Sequence, residues 1–286
     1  MSNKQGLFEK ILKLKKEGKE EMNLSGKVAF VTGGAQRVGK ILCLALARAG
    51  ADIAMNYWHT EEDAQKTKSE IESLNRRCLA LEGDITDIQQ VNRMMAKIEK
   101  EFNRLDILVH NASNFNKCPF MEVTEEIWES SFGVNLKGPF FVSQAAAKLM
   151  LKNGSGRIIA LVGNSYYENW PNYIPHTIAK TGLAKLMQSL AIALSPNIQC
   201  NAICPANIYL SESESDQSES LIKEKDAKFQ EDYFNMDTSI NFDASGIKIH
   251  KGGSAKEVAE LVVYLSGCSN YLNGAVIPID GGKYLI

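Results

Sequence analysis

The sequence lacks the features that mark membrane, nucleic-acid-binding and structural-metal proteins. Its apolar runs are far shorter than the roughly 20 residues of a transmembrane helix. Lys and Arg number 32 against 34 Asp and Glu, which leaves no excess of positive charge for a nucleic-acid backbone. The six cysteines have no C-x-x-C spacing, so we expect reduced thiols and no metal: Cys43, Cys78, Cys118, Cys200, Cys204 and Cys268. We therefore expect a cytoplasmic protein that acts on a small molecule, with no nucleic-acid or membrane partner.

Residues 1–22 differ in composition from the rest and predict a separate extension. They are rich in lysine but also contain glutamates, and they lack the apolar core of a signal peptide. Leu7, Phe8, Ile11 and Leu12 fall on one face of a helix. We predict an amphipathic extension, packed either on the domain or on a partner subunit, followed by one domain over 23–286.

From residue 27 onward, short apolar runs alternate with helical patterns. The predicted strands cover 27–32, 52–57, 77–81, 106–110, 157–162, 198–203 and 275–279. The predicted helices cover 38–49, 61–75, 88–101, 124–150, 175–195 and 255–266. Ser254 and Glu257 form a capping-box pattern at the last helix. The alternation predicts an α/β, Rossmann-type, doubly wound fold with a seven-stranded parallel sheet and helices on both faces.

One polar segment interrupts this alternation at about 209–250. It begins with a run of serines and acids that has too little apolar surface to pack alone. It lies between the last two strands, at the edge of the sheet where ligands bind. The segment is interpreted either as a solvated surface insertion or as a lid over the substrate.

A glycine-rich turn follows the first strand and predicts a nucleotide site. It reads Thr32-Gly33-Gly34-Ala35-Gln36-Arg37-Val38-Gly39 and leads into an alanine- and leucine-rich helix. Glycines let the backbone approach a pyrophosphate, which the amino end of the helix stabilises. The predicted cofactor contacts in this turn are Gly33, Gln36, Arg37, Val38 and Gly39.

The end of the second strand bears on the choice between NAD and NADP. NAD-binding proteins place an acid there for the ribose 2′-hydroxyl, whereas this sequence reads Asn56-Tyr57-Trp58-His59. With no acid to repel a 2′-phosphate and with Arg37 able to pair with it, we predict NADP in preference to NAD. The alternatives are that Arg37 is only a solvated residue at the start of the helix and that Tyr57 only packs against its neighbours.

Several short motifs resemble those of the short-chain dehydrogenase/reductase family and follow the same order over 25–282. After the glycine turn come Gly83-Asp84-Ile85, His110-Asn111-Ala112-Ser113, Val134-Asn135 and Ile279-Asp280-Gly281-Gly282. Arg37 in the turn, and Asn-Ala-Ser in place of Asn-Ala-Gly, are similar to the pteridine reductase branch of the family. The resemblance implies the Rossmann-type fold and nicotinamide dinucleotide binding.

The resemblance also implies cofactor contacts beyond the turn. Asp84 would meet the adenine, and Asn111 would lie near the adenosine ribose. Lys180 would hold the nicotinamide ribose. The remaining implied contacts are Ile85, Ala112 and Pro205, the last followed by Ala206 where the family usually has glycine.

The resemblance further implies a Ser–Tyr–Lys centre supported by an asparagine, and two of these four positions are altered. Lysine and asparagine are present as Lys180 and Asn135, but the tyrosine position is His176 and the serine position is Gly163. Histidine starts from a pKa of about 6.5, and a lysine one helical turn away favours its neutral form. We identify Asn135, His176 and Lys180 as the catalytic candidates, with a degenerate serine–tyrosine pair.

Hydroxyl groups near these positions are candidate substitutes. Ser165 follows Gly163 by two residues and faces the same side if the chain is extended. Tyr166, Tyr167 and Tyr173 crowd the loop before the helix, and Tyr173 lies just outside the first turn. The alternative is that these aromatic residues only line a substrate pocket or a subunit contact.

Two functions agree with this pattern. The first is an NADP-dependent oxidoreductase that reduces a carbonyl or pterin-like small molecule by hydride transfer, with a non-standard proton donor. The second is a non-catalytic dinucleotide-binding protein that acts through a partner. The resemblance also implies a homodimer or homotetramer formed through the helices at 124–150 and 175–195.

Overall fold

A seven-stranded parallel sheet forms the centre of the computed structural model, which describes residues 22–210 and 252–285. The strands are β1 (Val28–Val31), β2 (Asp52–Tyr57), β3 (Cys78–Glu82), β4 (Ile107–His110), β5 (Gly156–Leu161), β6 (Ile198–Pro205), β7 (Ile208–Tyr209), β8 (Gly253–Ser254) and β9 (Val276–Ile279). The main sheet has the order β3-β2-β1-β4-β5-β6-β9, and β7 pairs separately with β8. The predicted Rossmann-type architecture is confirmed.

Burial on both faces explains why the central runs form interior strands. Every residue of β1, β4 and β6 is buried. The edge strands β3 and β9 keep partly exposed positions. Parallel strands that are covered by helices on both faces have no solvent side, so their sequences are apolar throughout.

Helices connect the strands, and side chains cap the first turn of three of the described α-helices. The α-helices are α1 (Arg37–Arg48), α2 (Glu61–Ser73), α3 (Ile88–Phe102), α4 (Glu125–Phe132), α5 (Gly138–Lys152), α6 (Ile174–Ala193) and α7 (Ala255–Gly267). Asp87 accepts hydrogen bonds from backbone N–H groups at the start of α3, and Thr124 does so at α4. The predicted capping box of Ser254 and Glu257 is present at α7.

The helices bury an apolar core on each face of the sheet. Phe30 of β1 contributes to the core that also contains Met187 of α6. Its neighbour Val31 points to the other face, where the core contains Leu42 of α1 and Val262 of α7. Successive residues of a strand point to opposite faces, so both cores are built from the same apolar runs. The carboxyl ends of the strands stay accessible between the two helical layers.

The helix predicted at 124–150 consists of α4 and α5 joined by a π-helical turn, Gly133–Lys137. Such turns are frequent at functional sites, and this one contains the buried Asn135. Ala146 and Ala147 of α5 are buried in the core of the chain itself. They therefore pack against the sheet rather than against a partner subunit, and the dimer or tetramer stays a prediction.

The predicted insertion enters and leaves through adjacent strands. Ile208 pairs with Gly253, and Tyr209 pairs with Ser254. Residues 211–250 of the insertion lie outside the described residues, as do residues 1–21 of the predicted extension. The lid hypothesis and the amphipathic extension therefore stay predictions.

Candidate active site

Two adjoining clefts lie at the carboxyl ends of the strands. We name the cleft above β1 to β4 the nucleotide cleft, and the cleft above β5 and β6 the substrate cleft. Arg37, Asn111 and Ser113 line both. Strand β1 lies between β2 and β4, so the chain order reverses there, and α/β sheets bind ligands at such switch points. Lys180 and Pro205 line the substrate cleft, and the other predicted cofactor contacts all line the nucleotide cleft.

The glycine turn is packed tightly against the loop that follows β4. Gly33 has a φ of +61°, and a Cβ at this position would come within 3.0 Å of Ala112 Cα. A Cβ at Gly39 would collide with the Gly33 carbonyl oxygen. The Asn111 side chain donates to the carbonyl oxygens of Thr32 and Gly33, at 3.0 and 2.9 Å. Asn111 thus holds the turn in shape, and the exposed backbone suits a pyrophosphate.

A carboxylate lies beside the end of β2 although the strand itself contains none there. The Tyr57 hydroxyl donates to Glu61, the first residue of α2. Burial and this contact raise the pKa of Tyr57 to about 12, and the hydrogen bond from Tyr57 lowers the pKa of Glu61. The strand end at residues 56–59 contains no acid, but Glu61 brings a carboxylate to the hydroxyl of Tyr57. Helix α2 starts close enough to the strand to bring Glu61 back to it.

Lys180 is buried beside the end of β5. Its ammonium group donates to the Leu161 carbonyl oxygen at 2.9 Å. Burial lowers the pKa of Lys180 to about 8. His176 lies one turn earlier on the same face of α6, so the charge of Lys180 acts on the imidazole.

The imidazole of His176 is oriented by a backbone carbonyl group. Its Nδ1 lies 2.9 Å from the Asn114 carbonyl oxygen. A carbonyl oxygen only accepts, so Nδ1 carries the proton and Nε2 carries the lone pair. His176 lines the substrate cleft, and Nε2 has no hydrogen-bond partner within 22–210 and 252–285. Burial and the charge of Lys180 lower the pKa of His176 to about 4, so the ring is neutral at neutral pH.

Asn135 supports this arrangement from beneath. Its Nδ2 donates to the backbone carbonyl and to the side-chain oxygen of Asn114, at 3.1 and 2.6 Å. Its Oδ1 accepts from Ser113 Oγ at 2.8 Å. Asn135 lines neither cleft. The structure therefore places it against the segment that contacts His176 and away from both clefts, and its implied catalytic role stays a prediction.

The backbone at Gly163, the implied serine position, suits only glycine. Gly163 has a φ of +85° and a ψ of 165°. The following residues form a 3-10 turn, Asn164–Tyr166, rather than the extended chain expected there. Even so, a Cβ at Gly163 would lie 3.9 Å from Ser165 Oγ. The hydroxyl of Ser165 is buried and has no hydrogen-bond partner in the described part of the chain, so it offers an unused donor close to Gly163.

The three loop tyrosines pack among aromatic rings and not on the cleft wall. Tyr173 stacks on Phe115 with 4.1 Å between ring centroids. Tyr166 packs edge-on against Tyr167 at 4.8 Å. None of the three tyrosines lines the substrate cleft, whereas His176 does. The structure thus brings His176, rather than a substitute tyrosine, to the cleft.

Two aromatic residues that sequence reasoning missed line the substrate cleft. The ring of Trp170 lies parallel to His176, with 6.3 Å between centroids and 9° between planes. Phe115 meets both rings edge-on. Phe115 follows β4 and Trp170 follows β5, so only the pairing of these strands brings the two together. No local sequence signal identifies them as neighbours.

Pro205 and Ala206 close the substrate cleft on the β6 side. The backbone of Ala206 does not adopt a positive φ. An alanine is therefore accommodated without strain where the family usually has glycine. The nicotinamide-side contact of Pro205 that the resemblance implies stays a prediction.

Residues 22–210 and 252–285 contain neither a metal-ion cluster nor a membrane-spanning helix. In these residues no group of three or more His, Cys, Asp or Glu side chains could hold a metal ion. No helix in the same ranges combines the length and apolarity needed to cross a bilayer. The six cysteines form no disulfide, and all except the partly buried Cys268 are buried.

Comparisons with known proteins cover both clefts. The family model described as short chain dehydrogenase matches residues 27–221. L-rhamnose 1-dehydrogenase (NAD(P)(+)) of Sphingomonas sp. (strain SKA58) is 32% identical, over 92% of this chain and 98% of its own. L-rhamnose-1-dehydrogenase of Scheffersomyces stipitis is also 32% identical, over 92% and 97%. The crystal structure of acetoin dehydrogenase from Enterobacter cloacae has a TM-score of 0.74 at 30% identity and covers 91% of this chain and 96% of its own.

Proposed function

Because the chain belongs to the short chain dehydrogenase family, we propose that it oxidises a hydroxyl group of a small polar molecule, with His176 as the base. The observation that carries this proposal is the hydrogen bond between His176 Nδ1 and the Asn114 carbonyl, which leaves Nε2 as an acceptor. A bound nicotinamide dinucleotide supplies the hydride acceptor. The substrate hydroxyl gives its proton to Nε2 as its carbon gives up a hydride, so the alcohol becomes a carbonyl.

The resting protonation state of His176 supports oxidation. Burial and Lys180 keep the pKa of His176 at about 4, so Nε2 is unprotonated at neutral pH. Carbonyl reduction by the same residues would begin from the imidazolium, which is scarce at that pH. Reduction is therefore expected to be slower at neutral pH, because little of the His176 imidazolium is present to donate the proton. A pterin-like substrate, and the likeness to the pteridine reductase branch, have no support in the cleft or in the names of the three relatives above.

Ser165 complements His176 in this proposal. Its buried hydroxyl lies beside Gly163, a residue of the cleft wall, and has no hydrogen-bond partner within the described chain. Ser165 itself does not line the cleft, so its hydroxyl would hold the substrate oxygen, while the proton passes to His176, only after a shift of the turn that carries it. Burying an unpaired hydroxyl costs stability, and a bound substrate would offset this cost. Ser165→Ala should therefore lower kcat while leaving coenzyme affinity unchanged.

For the coenzyme we propose NADP, with NAD as a weaker alternative. Arg37 lines the nucleotide cleft at the start of α1, where a guanidinium can pair with a 2′-phosphate. Glu61 does not line the nucleotide cleft, but its negative charge beside Tyr57 weakly opposes the binding of that phosphate. The two groups pull in opposite directions, so we expect a moderate preference. The name NAD(P)(+) of the Sphingomonas relative is compatible with either coenzyme.

For the substrate we propose a sugar or a related polyol. Two of the relatives are named for oxidation of L-rhamnose. In this chain the substrate cleft combines aromatic walls, Trp170 and Phe115, with the polar side chains Ser113 and Asn207. A sugar has both apolar C–H surface and hydroxyl groups, so such a mixed lining is suited to it.

The test is coenzyme reduction by the purified full chain. NADP⁺ or NAD⁺ would be offered with a panel of aldoses, polyols and simple alcohols, and the reduced coenzyme would be followed by absorbance. We expect turnover of at least one sugar or polyol, abolished by His176→Ala. Normal coenzyme binding without turnover in either direction would contradict the proposal and favour the non-catalytic dinucleotide-binding protein.

A further inference from the structure

A carboxylate with no part in the proton transfer ties three segments of the chain together. Glu168 Oε1 accepts from Asn164 Nδ2 at 2.7 Å, and Glu168 Oε2 accepts from Trp170 Nε1 at 2.8 Å. The ammonium of Lys283 lies 3.2 Å from Oε1 and 3.3 Å from Oε2. The side chains of Glu168 and Lys283 are only 22% and 26% exposed, so solvent screens their attraction incompletely. Glu168 thus connects the turn after β5, the loop before α6 and the C-terminal segment.

The C-terminal segment that carries Lys283 is itself fixed in place. Lys283 belongs to a 3-10 turn, Lys283–Leu285. The Asp280 carboxylate accepts from the backbone N–H groups of Gly282 and Tyr284, at 2.9 and 2.8 Å. The ring of Tyr284 stacks on Tyr167 with 4.5 Å between centroids. Lys283 therefore presents its charge to Glu168 from a defined position.

Trp170 is the group in this network that faces the substrate cleft. Its ring is parallel to the imidazole of His176, and only 8% of the residue is exposed. The indole N–H is the only polar atom of the side chain, and Glu168 holds it. Fixing this atom sets the rotation of the ring. The flat face of Trp170 is thus aligned with the proposed base.

We propose that Glu168, paired with Lys283, is a positioning residue that holds Trp170 as a platform for the apolar face of a cyclic substrate. The inference rests on the proposed function, because the platform serves the hydroxyl that His176 would deprotonate. A sugar ring has C–H groups on its face and hydroxyls at its edge. An aligned indole binds the face, while Ser113 and Asn207, which line the same cleft, bind the edge. Cyclic polyols should therefore be preferred over short open-chain alcohols.

Steady-state kinetics test the platform. Trp170→Ala, Glu168→Gln and Lys283→Met should each raise the KM for a cyclic substrate about threefold to tenfold, the range of an aromatic contact. The KM for coenzyme and for a short open-chain alcohol should change little, and Trp170→Phe should retain most of the affinity. Glu99→Gln, which breaks the exposed ion pair with Lys152, is the matched control. An unchanged KM in all three variants, or equal losses for cyclic and open-chain substrates, would overturn the proposal.

A readout without turnover separates this inference from the proposed function. The chain has three tryptophans, so replacing Trp58 and Trp128 by phenylalanine leaves Trp170 as the only tryptophan, which can be excited at wavelengths that tyrosine does not absorb. Its emission should be poorly quenched by acrylamide, and Glu168→Gln and Lys283→Met should both increase the quenching, unlike Glu99→Gln. Increased quenching in a protein that oxidises nothing would support the positioning of Trp170 while contradicting the proposed function. Unchanged quenching in both variants would overturn the positioning role even in an active enzyme.

Discussion

The nucleotide cleft and the substrate cleft share one edge of the sheet but are built in different ways. Backbone shapes the nucleotide cleft, where Gly33 and Gly39 bring the chain close to the ligand position and Asn111 holds the turn. Side chains define the substrate cleft, where the chemistry depends on which ring nitrogen of His176 faces Asn114. A backbone cradle follows from residue spacing, whereas a proton-transfer group follows from contacts between distant segments. The same family pattern therefore identifies the first cleft more directly than the second.

The largest expected effect is the loss of turnover in His176→Ala, which should alter the substrate cleft and leave the nucleotide cleft unchanged. His176→Ala removes the proposed base, so the oxidation rate should fall roughly 10²–10⁴-fold, the range for a positioned proton-transfer group. Coenzyme affinity should stay nearly constant, because His176 does not line the nucleotide cleft. Turnover assays and a fluorescence titration of reduced coenzyme measure the two quantities.

The control for this comparison is Ile178→Ala, a change at an exposed residue on the same helix. It should leave both turnover and coenzyme affinity as in the original chain. A loss below about tenfold in His176→Ala would point to another group as the base.

A second change tests whether the substrate cleft has lost the catalytic function of the family or performs it with different residues. The φ of +85° at Gly163 costs a non-glycine residue about 1–3 kcal/mol, and the strain falls on the turn that carries Ser165. Gly163→Ser should therefore lower both Tm and kcat, and adding His176→Tyr should not restore turnover. Thermal melts and turnover assays measure these effects.

Gly154 supplies the matched control for backbone strain alone. It has a φ of +81°, and a Cβ there would meet nothing within 4 Å. Gly154→Ser should lower Tm by a similar amount while leaving kcat unchanged. Higher turnover in Gly163→Ser would mean that the position still accepts the family serine and that the site is only degraded.

A smaller effect is expected in the nucleotide cleft. Arg37→Ala should weaken NADPH about tenfold more than NADH, because a charge-assisted contact to the 2′-phosphate is lost. Glu61→Gln should shift the preference a few fold the other way, since like-charge repulsion at an exposed site is weak. Dissociation constants for both coenzymes measure the shifts, with Glu62→Gln as the neighbouring control. Equal weakening of NADPH and NADH in Arg37→Ala would remove the NADP preference from the account.

Local patterns were enough to predict most of the fold. The strand predicted at 52–57 is β2 as observed, because its apolar residues are buried within the sheet. The helix predicted at 255–266 starts at its capping box and ends within one residue. The π-helical turn Gly133–Lys137 was not predicted. Gly133 and Gly138-Pro139 are local signals that a continuous helix is interrupted there, and Asn135 in the turn contacts a segment that is distant in sequence.

The candidate site was predictable in its residue types but not in its geometry. His176 and Lys180 follow from a helical spacing, and both line the substrate cleft. The partner of His176 is a backbone carbonyl, which has no signature in any sequence. Glu61 lies four residues after Tyr57 and begins the next helix. A short connection between strand and helix is therefore the sequence signal for their contact. The residues of the strand end alone carry no sign of this contact.

The pH dependence of oxidation tests the central claim that His176 Nε2 is a base held neutral by its surroundings. The base works when unprotonated, so its rate contribution is present above its pKa and is lost as pH falls through it. Because the pKa is lowered to about 4 by burial and Lys180, oxidative kcat/KM should stay level from neutral pH to about pH 5 and reach half its value near 4. Samples returned to neutral pH before assay control for acid unfolding. Half-loss at about 6.5, where an unperturbed imidazole titrates, would contradict the account.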